Sequence, residues 1–196
     1  MFKKTSVRLT DLMQDNGIIQ SENRKICEYG IRQLFTVLLN IFSDVFIGIL
    51  FGMVSESIIF LIAYMSLRRF AGGFHSRSPV MCYVYSMIII AVNLWMAKIW
   101  FSDKMIINIL LLIGSALIFL LSPVEDMNKP LDTLEYKVYR KKCFFILIIE
   151  IICYAVISLV NLRKAAIMIS AAVFNLGLIV LLGKVKNKLI IQTKTK

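Results

Sequence analysis

The segment Arg68-Arg69-Phe70-Ala71-Gly72-Gly73-Phe74-His75 is followed seven residues later by Cys82, and His75 is the single histidine in 196 residues. Imidazole has an ordinary pKa suited to a general base near neutral pH, and a thiolate is a strong protein nucleophile. The pair points to cysteine-type acyl transfer. In one straight helix seven residues rise about 10.5 Å, whereas a base must come within about 3 Å of the proton it takes. The chain must therefore fold back between His75 and Cys82, and Gly73 and Pro79 permit that. Gly72 and Gly73 allow positive φ and close approach of another backbone, and their N–H groups are candidate oxyanion donors. Pro79 starts a helix near Val80. Cys82 then falls in a first helical turn, where unpaired N–H groups and the positive helix end favour a thiolate. On the residues alone, an interfacial loop histidine beside an ordinary buried cysteine is the alternative.

The elements that must position these residues are membrane-grade. Hydrophobic residues make up 59% of the chain and the mean hydropathy is +0.78, above the usual apolar share of soluble domains. Runs approaching the 20 or so apolar residues of a crossing helix give six candidate spans: Leu34–Val54, Ser57–Leu67, Val80–Ala97, Met105–Ser122, Cys143–Val160 and Ala165–Gly183. The second is short. Snorkelling of Arg68 and Arg69 can lengthen it, and a half-span is its competing reading. With the N-terminus inside, six crossings leave all 23 basic residues on the cytoplasmic side except Lys98, Lys104, Arg163 and Lys164, as the positive-inside bias requires. The expected fold is all-α, with six transmembrane helices and both termini cytoplasmic. Residues 1–32 form an N-terminal cytoplasmic or interfacial helical arm, with Val7, Leu9, Leu12 and Met13 at helical spacing and Ser21 as a cap for a second helix that runs into the first span. Residues 33–183 form the transmembrane domain, carrying a reactive loop at 68–82 and a cytoplasmic loop at 123–142, in which Leu131–Lys142 reads as a charged helix. Residues 184–196 form a basic, frayed tail. No signal peptide precedes the first apolar run.

The net charge of +11 fits an anionic membrane surface, and no nucleic-acid-binding motif accompanies it, so nucleic acid is excluded as a partner. One histidine rules out HExxH and most zinc sites. There is no GxSxG elbow and no GxxxxGK[ST] loop, and no metal or cofactor is expected. Asp44 and Glu150 fall near the middle of their spans, where a carboxylate is costly and faces a cavity or a partner; Glu56 sits at an outer rim. A small transporter or exporter using Asp44 and Glu150 is the rival function. Asn40, Asn93 and Asn108 read as interhelical glue, Cys143 and Cys153 as packing residues, and Trp95, Trp100 and Phe101 as an outer aromatic belt.

The Arg-Gly-Gly-His element with Cys82 seven residues on resembles the AgrB (accessory gene regulator protein B) family, and length and hydropathy are similar over nearly the whole chain. Glu28-Tyr29-Gly30, and Pro123 with Asn128-Lys129-Pro130, are weaker points of likeness. The resemblance implies a membrane cysteine endopeptidase of quorum sensing, in the bacterial cell membrane with its active site at the cytoplasmic face. Its partner would be a short precursor signalling peptide, cleaved through an acyl-enzyme and closed to a thiolactone or lactone, with membrane lipid around it and a homo-oligomer left open. Carried over, Cys82 is the nucleophile and His75 its base, supported by Arg69, Gly72, Gly73, Gln33 and Lys129. Glu125, Asp126 and Glu135 are candidates for orienting His75.

Overall fold

A computed structural model describes residues 2–74, 78–99, 103–125 and 131–194. Their regular structure is helical: α1 (Lys3–Asp15), a 3₁₀ turn (Ser21–Asn23), α2 (Arg24–Phe51), α3 (Val54–Ala71), α4 (Pro79–Ile99), α5 (Lys104–Leu121), α6 (Thr133–Leu159) and α7 (Arg163–Lys194). Five stretches are long and apolar enough to cross a membrane: Ser21–Phe51, Val80–Ile99, Lys104–Leu121, Thr133–Leu159 and Arg163–Ile190. The sixth candidate, α3, has 18 residues and so spans about 27 Å. It carries Glu56 in its first turn and Arg68 and Arg69 in its last. These charges suit the helix dipole but lower its hydropathy.

Side-chain contacts fix the helix directions. Ser43 on α2 meets Tyr83 on α4 at 2.7 Å, and Lys98 Nζ donates to Phe51 O, so α2 and α4 run alike. Gly52 (φ 66°) reverses the chain after α2, with Gly52 N–H donating to Ile49 O and Met53 N–H to Gly48 O, which closes the helix end in a Schellman pattern. A Cβ on Gly48 would stand 2.5 Å from Ser57 Oγ, so α2 and α3 form a tight antiparallel hairpin. On the other side of α3, Ser66 meets Glu150 and Phe70 stacks edge-on with Tyr139, both on antiparallel α6.

The core is built around α7. In its spanning stretch 61% of residues are buried, against 22% or less in the other four. Small residues make that possible: Ala166, Ser170, Ala171 and Ala172 are buried, and Gly177 lies against Gly114 of α5. A Cβ on Gly114 would stand 2.6 Å from Phe174 Cα, and one on Gly177 2.9 Å from Gly114 O. Close backbone approach through small residues is the usual means of packing helices in lipid. Ser170 Oγ donates to Ile107 O across the same interface. The outward faces stay apolar, as at Phe42, Leu112, Leu120 and Ile152.

Several boundaries differ from the hydropathy reading. As expected, the second helix of the arm runs into the first span, so α2 starts ten residues before Leu34. Ser21 makes no side-chain cap; it opens the 3₁₀ turn, and the N-cap of α2, Asn23, makes none either. The charged helix expected at Leu131–Lys142 is present and runs without a break into the next span as α6, starting at a capping box in which Asp132 accepts from Thr133 N–H and Glu135 accepts from Asp132 N–H. α7 stays helical past Gly183 to Lys194 where fraying was expected. The N-terminal arm is a hairpin: α1 folds back on α2 through the Phe2–Phe35 stack and the Arg24–Asp11 ion pair at 2.6 Å. α1 buries Ser6 and Thr10 and leaves Leu9 and Leu12 exposed.

Replacing Gly114 with Leu should wedge α5 from α7 and lower the stability of the folded bundle by about 1–3 kcal/mol. Leu112→Ala on the exposed face of the same helix should cost less than about 0.5 kcal/mol. Equilibrium unfolding in mixed detergent micelles distinguishes the two.

Candidate active site

The segment after α3 is held by three successive backbone N–H groups. Gly72 N–H donates to Arg68 O (3.3 Å), Gly73 N–H to Val124 O (3.3 Å) and Phe74 N–H to Ile179 O (2.9 Å). Val124 N–H returns a bond to Ala71 O at 2.9 Å, which makes a short parallel bridge between the segment and the chain after α5. The Arg68 guanidinium donates to Gly72 O and to Phe74 O, the latter at 2.7 Å. Gly72 and Gly73 have φ of 66° and 119°, a region that favours glycine, and neither has room for a side chain. A Cβ on Gly72 would collide with Val124 O, and one on Gly73 would stand 3.0 Å from Ile179 O. The third glycine of the contact is on α7: a Cβ on Gly183 would lie 2.6 Å from Phe74 N and 2.7 Å from Gly73 C. Asn187, one turn further, donates to Glu125 O at 2.8 Å. The C-terminal part of α7 thus ties together the segment before His75 and the chain after α5. Because the Gly72 and Gly73 N–H groups are bonded within the protein, they are not free oxyanion donors.

His75 and Lys129 lie outside the described residues, as do Asp126, Trp100 and Phe101. What the described residues do give is the reversal: α3 ends at Ala71 and α4 starts at Pro79, so no continuous helix separates Phe74 from Cys82. Cys82 is in the first turn of α4, half-buried and a free thiol, with its N–H donating to Ser78 O. Ser86 Oγ donates to its carbonyl. The Tyr64 phenol of α3 lies within electrostatic reach of Arg68, Cys82 and Asp44. Together with the Ser43–Tyr83 hydroxyl contact, this gathers polar groups of α2, α3 and α4 around the start of α4. Arg68, unassigned from sequence, is the arginine that grips the glycine segment. Arg69 is exposed and stacks over Phe70. Gln33 is exposed on α2, about 15 Å along the axis before Ser43.

The remaining polar residues sort by position. Glu135 serves the α6 capping box, and Asn108 accepts from Tyr154 across α5 and α6. Asn175 donates to Asn93 at 3.1 Å across α7 and α4. Asn40 donates within its own helix, to Thr36 O, so it is not interhelical glue. Cys143 is buried and Cys153 exposed. Glu150 accepts from Ser66 at 2.8 Å. Ser66 and Tyr64 are two residues apart, about 200° around α3, so Glu150 and Asp44 face opposite sides of that helix. A cleft of about 320 Å³ between α4, α5 and α7 is lined by Val92, Asn93, Leu110 and Phe174 among others. Asn93 is about 16 Å further along α4 than Cys82, so the cleft is not at the thiol. Cations line this end of the bundle on aromatic faces: Lys142 over Phe70, Arg140 over Phe144 and Lys186 over Phe74. No group of three or more His, Cys, Asp or Glu that could hold a metal occurs among the described residues.

The sequence model of the accessory gene regulator B family matches residues 6–185. A protein named AgrB-like from Clostridium perfringens (strain SM101, type A) is 30% identical over 169 residues, covering 79% of each chain. A second, named AgrB-like protein 2, from Clostridium perfringens (strain 13, type A), is 30% identical over 149 residues, covering 72% of this chain and 70% of its own. No solved structure matches.

Gly183→Ala should push the glycine segment off α7 while the helices persist. Hydrogen exchange of the Gly73 and Phe74 amides should then accelerate by about tenfold or more, with exchange in the α5–α7 core unchanged. Unchanged exchange at both amides would show that Gly183 does not hold the segment.

Proposed function

The chain belongs to the accessory gene regulator B family, and on that premise we propose that it is a membrane cysteine endopeptidase of quorum-sensing peptide maturation. It cleaves a short precursor through an acyl-enzyme and helps close a cyclic thiolactone or lactone. Cys82 is the nucleophile and His75 its base. The observation that carries this reading is the setting of Cys82: a free thiol in the first turn of α4, within electrostatic reach of Tyr64. Arg68 also grips the backbone up to the residue before His75.

The chemistry balances on these groups. His75 takes the Cys82 proton, and the thiolate forms a C–S bond to the scissile carbonyl carbon. The C–N bond then breaks as the imidazolium returns the proton to the leaving amine. The thioester keeps the acyl group activated. A Cys thiol or Ser hydroxyl inside the precursor, deprotonated by the same imidazole, attacks it, forms the ring ester or thioester and releases Cys82. Ring closure outcompetes hydrolysis only where water is excluded. Leu67 and Ala71, both fully buried at the end of α3, favour that.

The alternation of α2, α3 and α4, with α6 antiparallel to α3, supports six crossings, with α3 as the short, charged one and both termini at the cytoplasmic face. The basic residues of that end would draw anionic headgroups and an acidic stretch of the precursor. The chemistry uses residues of one chain and does not require a homo-oligomer. The transporter reading requires Asp44 and Glu150 along one path, and their placement on opposite faces of α3 does not favour it.

Cys82→Ser and His75→Ala should each lower precursor cleavage by roughly three orders of magnitude or more while the protein still inserts. Intact-mass analysis of the native protein should show a precursor fragment bound to Cys82 and released by hydroxylamine. Cleavage that persists in either variant would overturn the assignment.

A further inference from the structure

We infer that Arg69 of α3 and Lys142 of α6, which converge on the Phe70 ring, hold the phosphodiester of an anionic phospholipid whose acyl chains lie along the exposed faces of these two helices. The Arg69 guanidinium carbon stands 5.6 Å from the centroid of the Phe70 ring and Lys142 Nζ stands 5.5 Å from it. Tyr139 packs edge-on to the same ring. The ring face attracts each cation but carries no net charge. Two like charges gathered on one ring repel each other, and an anion touching both offsets that repulsion. No described carboxylate serves: the ion pair found among the described residues is Arg24–Asp11. Glu150, about 12 Å deeper along α6, is bonded to Ser66.

Both cations sit where an apolar stretch meets a charged one: the apolar part of α3 ends at Leu67, and that of α6 begins at Cys143. A headgroup belongs at such a boundary. Beneath each cation the open surface is apolar. Ile62 and Ile58 follow Arg69 down one face of α3, and Phe145 and Ile149 follow Lys142 along α6. All four are exposed. α3 and α6 are antiparallel and touch through Ser66–Glu150 and Phe70–Tyr139. Seen from the charged end, Arg69 lies clockwise of that contact on α3 and Lys142 counter-clockwise of it on α6, so both strips open on the same side of the pair. An acidic peptide would match the cations but not the apolar strips below them. A phospholipid matches both.

The test follows phosphatidylglycerol retained by the full-length protein. Taken from bilayers of mixed phosphatidylglycerol and phosphatidylcholine into mild detergent, the native protein should keep phosphatidylglycerol in preference to phosphatidylcholine in native mass spectra. Arg69→Gln and Lys142→Gln should each weaken that preference about fivefold. Arg69→Lys, which keeps the charge, should stay within about twofold. Lys137→Gln removes the same charge from another face of α6 and should also stay within about twofold. All three replaced cations are exposed, so the packed core is untouched. Equal losses from Lys137→Gln and Lys142→Gln would reduce the site to the summed field of a basic surface and overturn it. Native retention in the Arg69→Gln, Lys142→Gln double variant would overturn it as well. If retention stays native while KM for a synthetic precursor rises in pure phosphatidylcholine bilayers, these cations serve an acidic peptide and the lipid site is lost. Lipid retention is read without precursor or turnover, so cleavage that survives Cys82→Ala would remove the peptidase reading and leave this site standing.

Discussion

A backbone-to-backbone contact organises this molecule's reactive end. Phe74 N–H reaches Ile179 O on α7 while Gly73 N–H reaches Val124 O, and Gly183 leaves the space that lets the two chains meet. A carbonyl has two lone pairs, so Ile179 O can accept this bond without breaking its own helix. Near a bilayer, three successive unbonded N–H groups would be prohibitive; here each has an acceptor, and Arg68 covers the Gly72 and Phe74 carbonyls as well. The position of the segment is thereby inherited from α7, the most buried helix.

That dependence explains why α7 is rich in small residues. Ser170 and Gly177 bring it against α5, and α5 leads directly to Ser122 and Val124. Ser122 Oγ bonds back to Ile118 O and contacts Cys143 Sγ of α6. Packing in the membrane interior and placement of the glycine segment are two ends of one arrangement. A change at Gly114, far from the thiol in sequence, bears on the same helix that carries Gly183.

Hydropathy located the helices well and their ends poorly, for a physical reason. Apolar runs mark where lipid contacts a helix, whereas helix ends are set by caps and dipoles. The Asp132–Glu135 box starts α6 ten residues before its apolar run. The charges of α3 sit where a helix dipole favours them, acid first and arginines last, so the helix is 18 residues long although its apolar stretch is only eleven. That Gly72-Gly73 lets another backbone come close was legible in the sequence, and the segment does lie against Val124 and Ile179. The use of Gly73 was not: its N–H read as free because its acceptor, Val124 O, is distant in sequence. Arg68 and Arg69 are indistinguishable in composition, and only the turn of α3 decides which one reaches the segment. Gly183 looked like the end of a span; its role depends on a neighbour more than a hundred residues away.

The two sides of α3 divide the labour of the bundle. One side, through Tyr64 and Arg68, faces α2 and the start of α4, with Asp44 and Cys82 nearby. The other, through Ser66 and Phe70, is fixed to α6 by Glu150 and Tyr139. A carboxylate joined to one hydroxyl in a packed interior contributes little net stability, but it resists sliding, because a shift of either helix leaves Glu150 without its donor. Holding α3 in register on its α6 side keeps Arg68 at the height of Gly72 and Phe74, and so sets where the chain turns toward His75. Glu150 thus fixes a position that Arg68 passes on to the glycine segment.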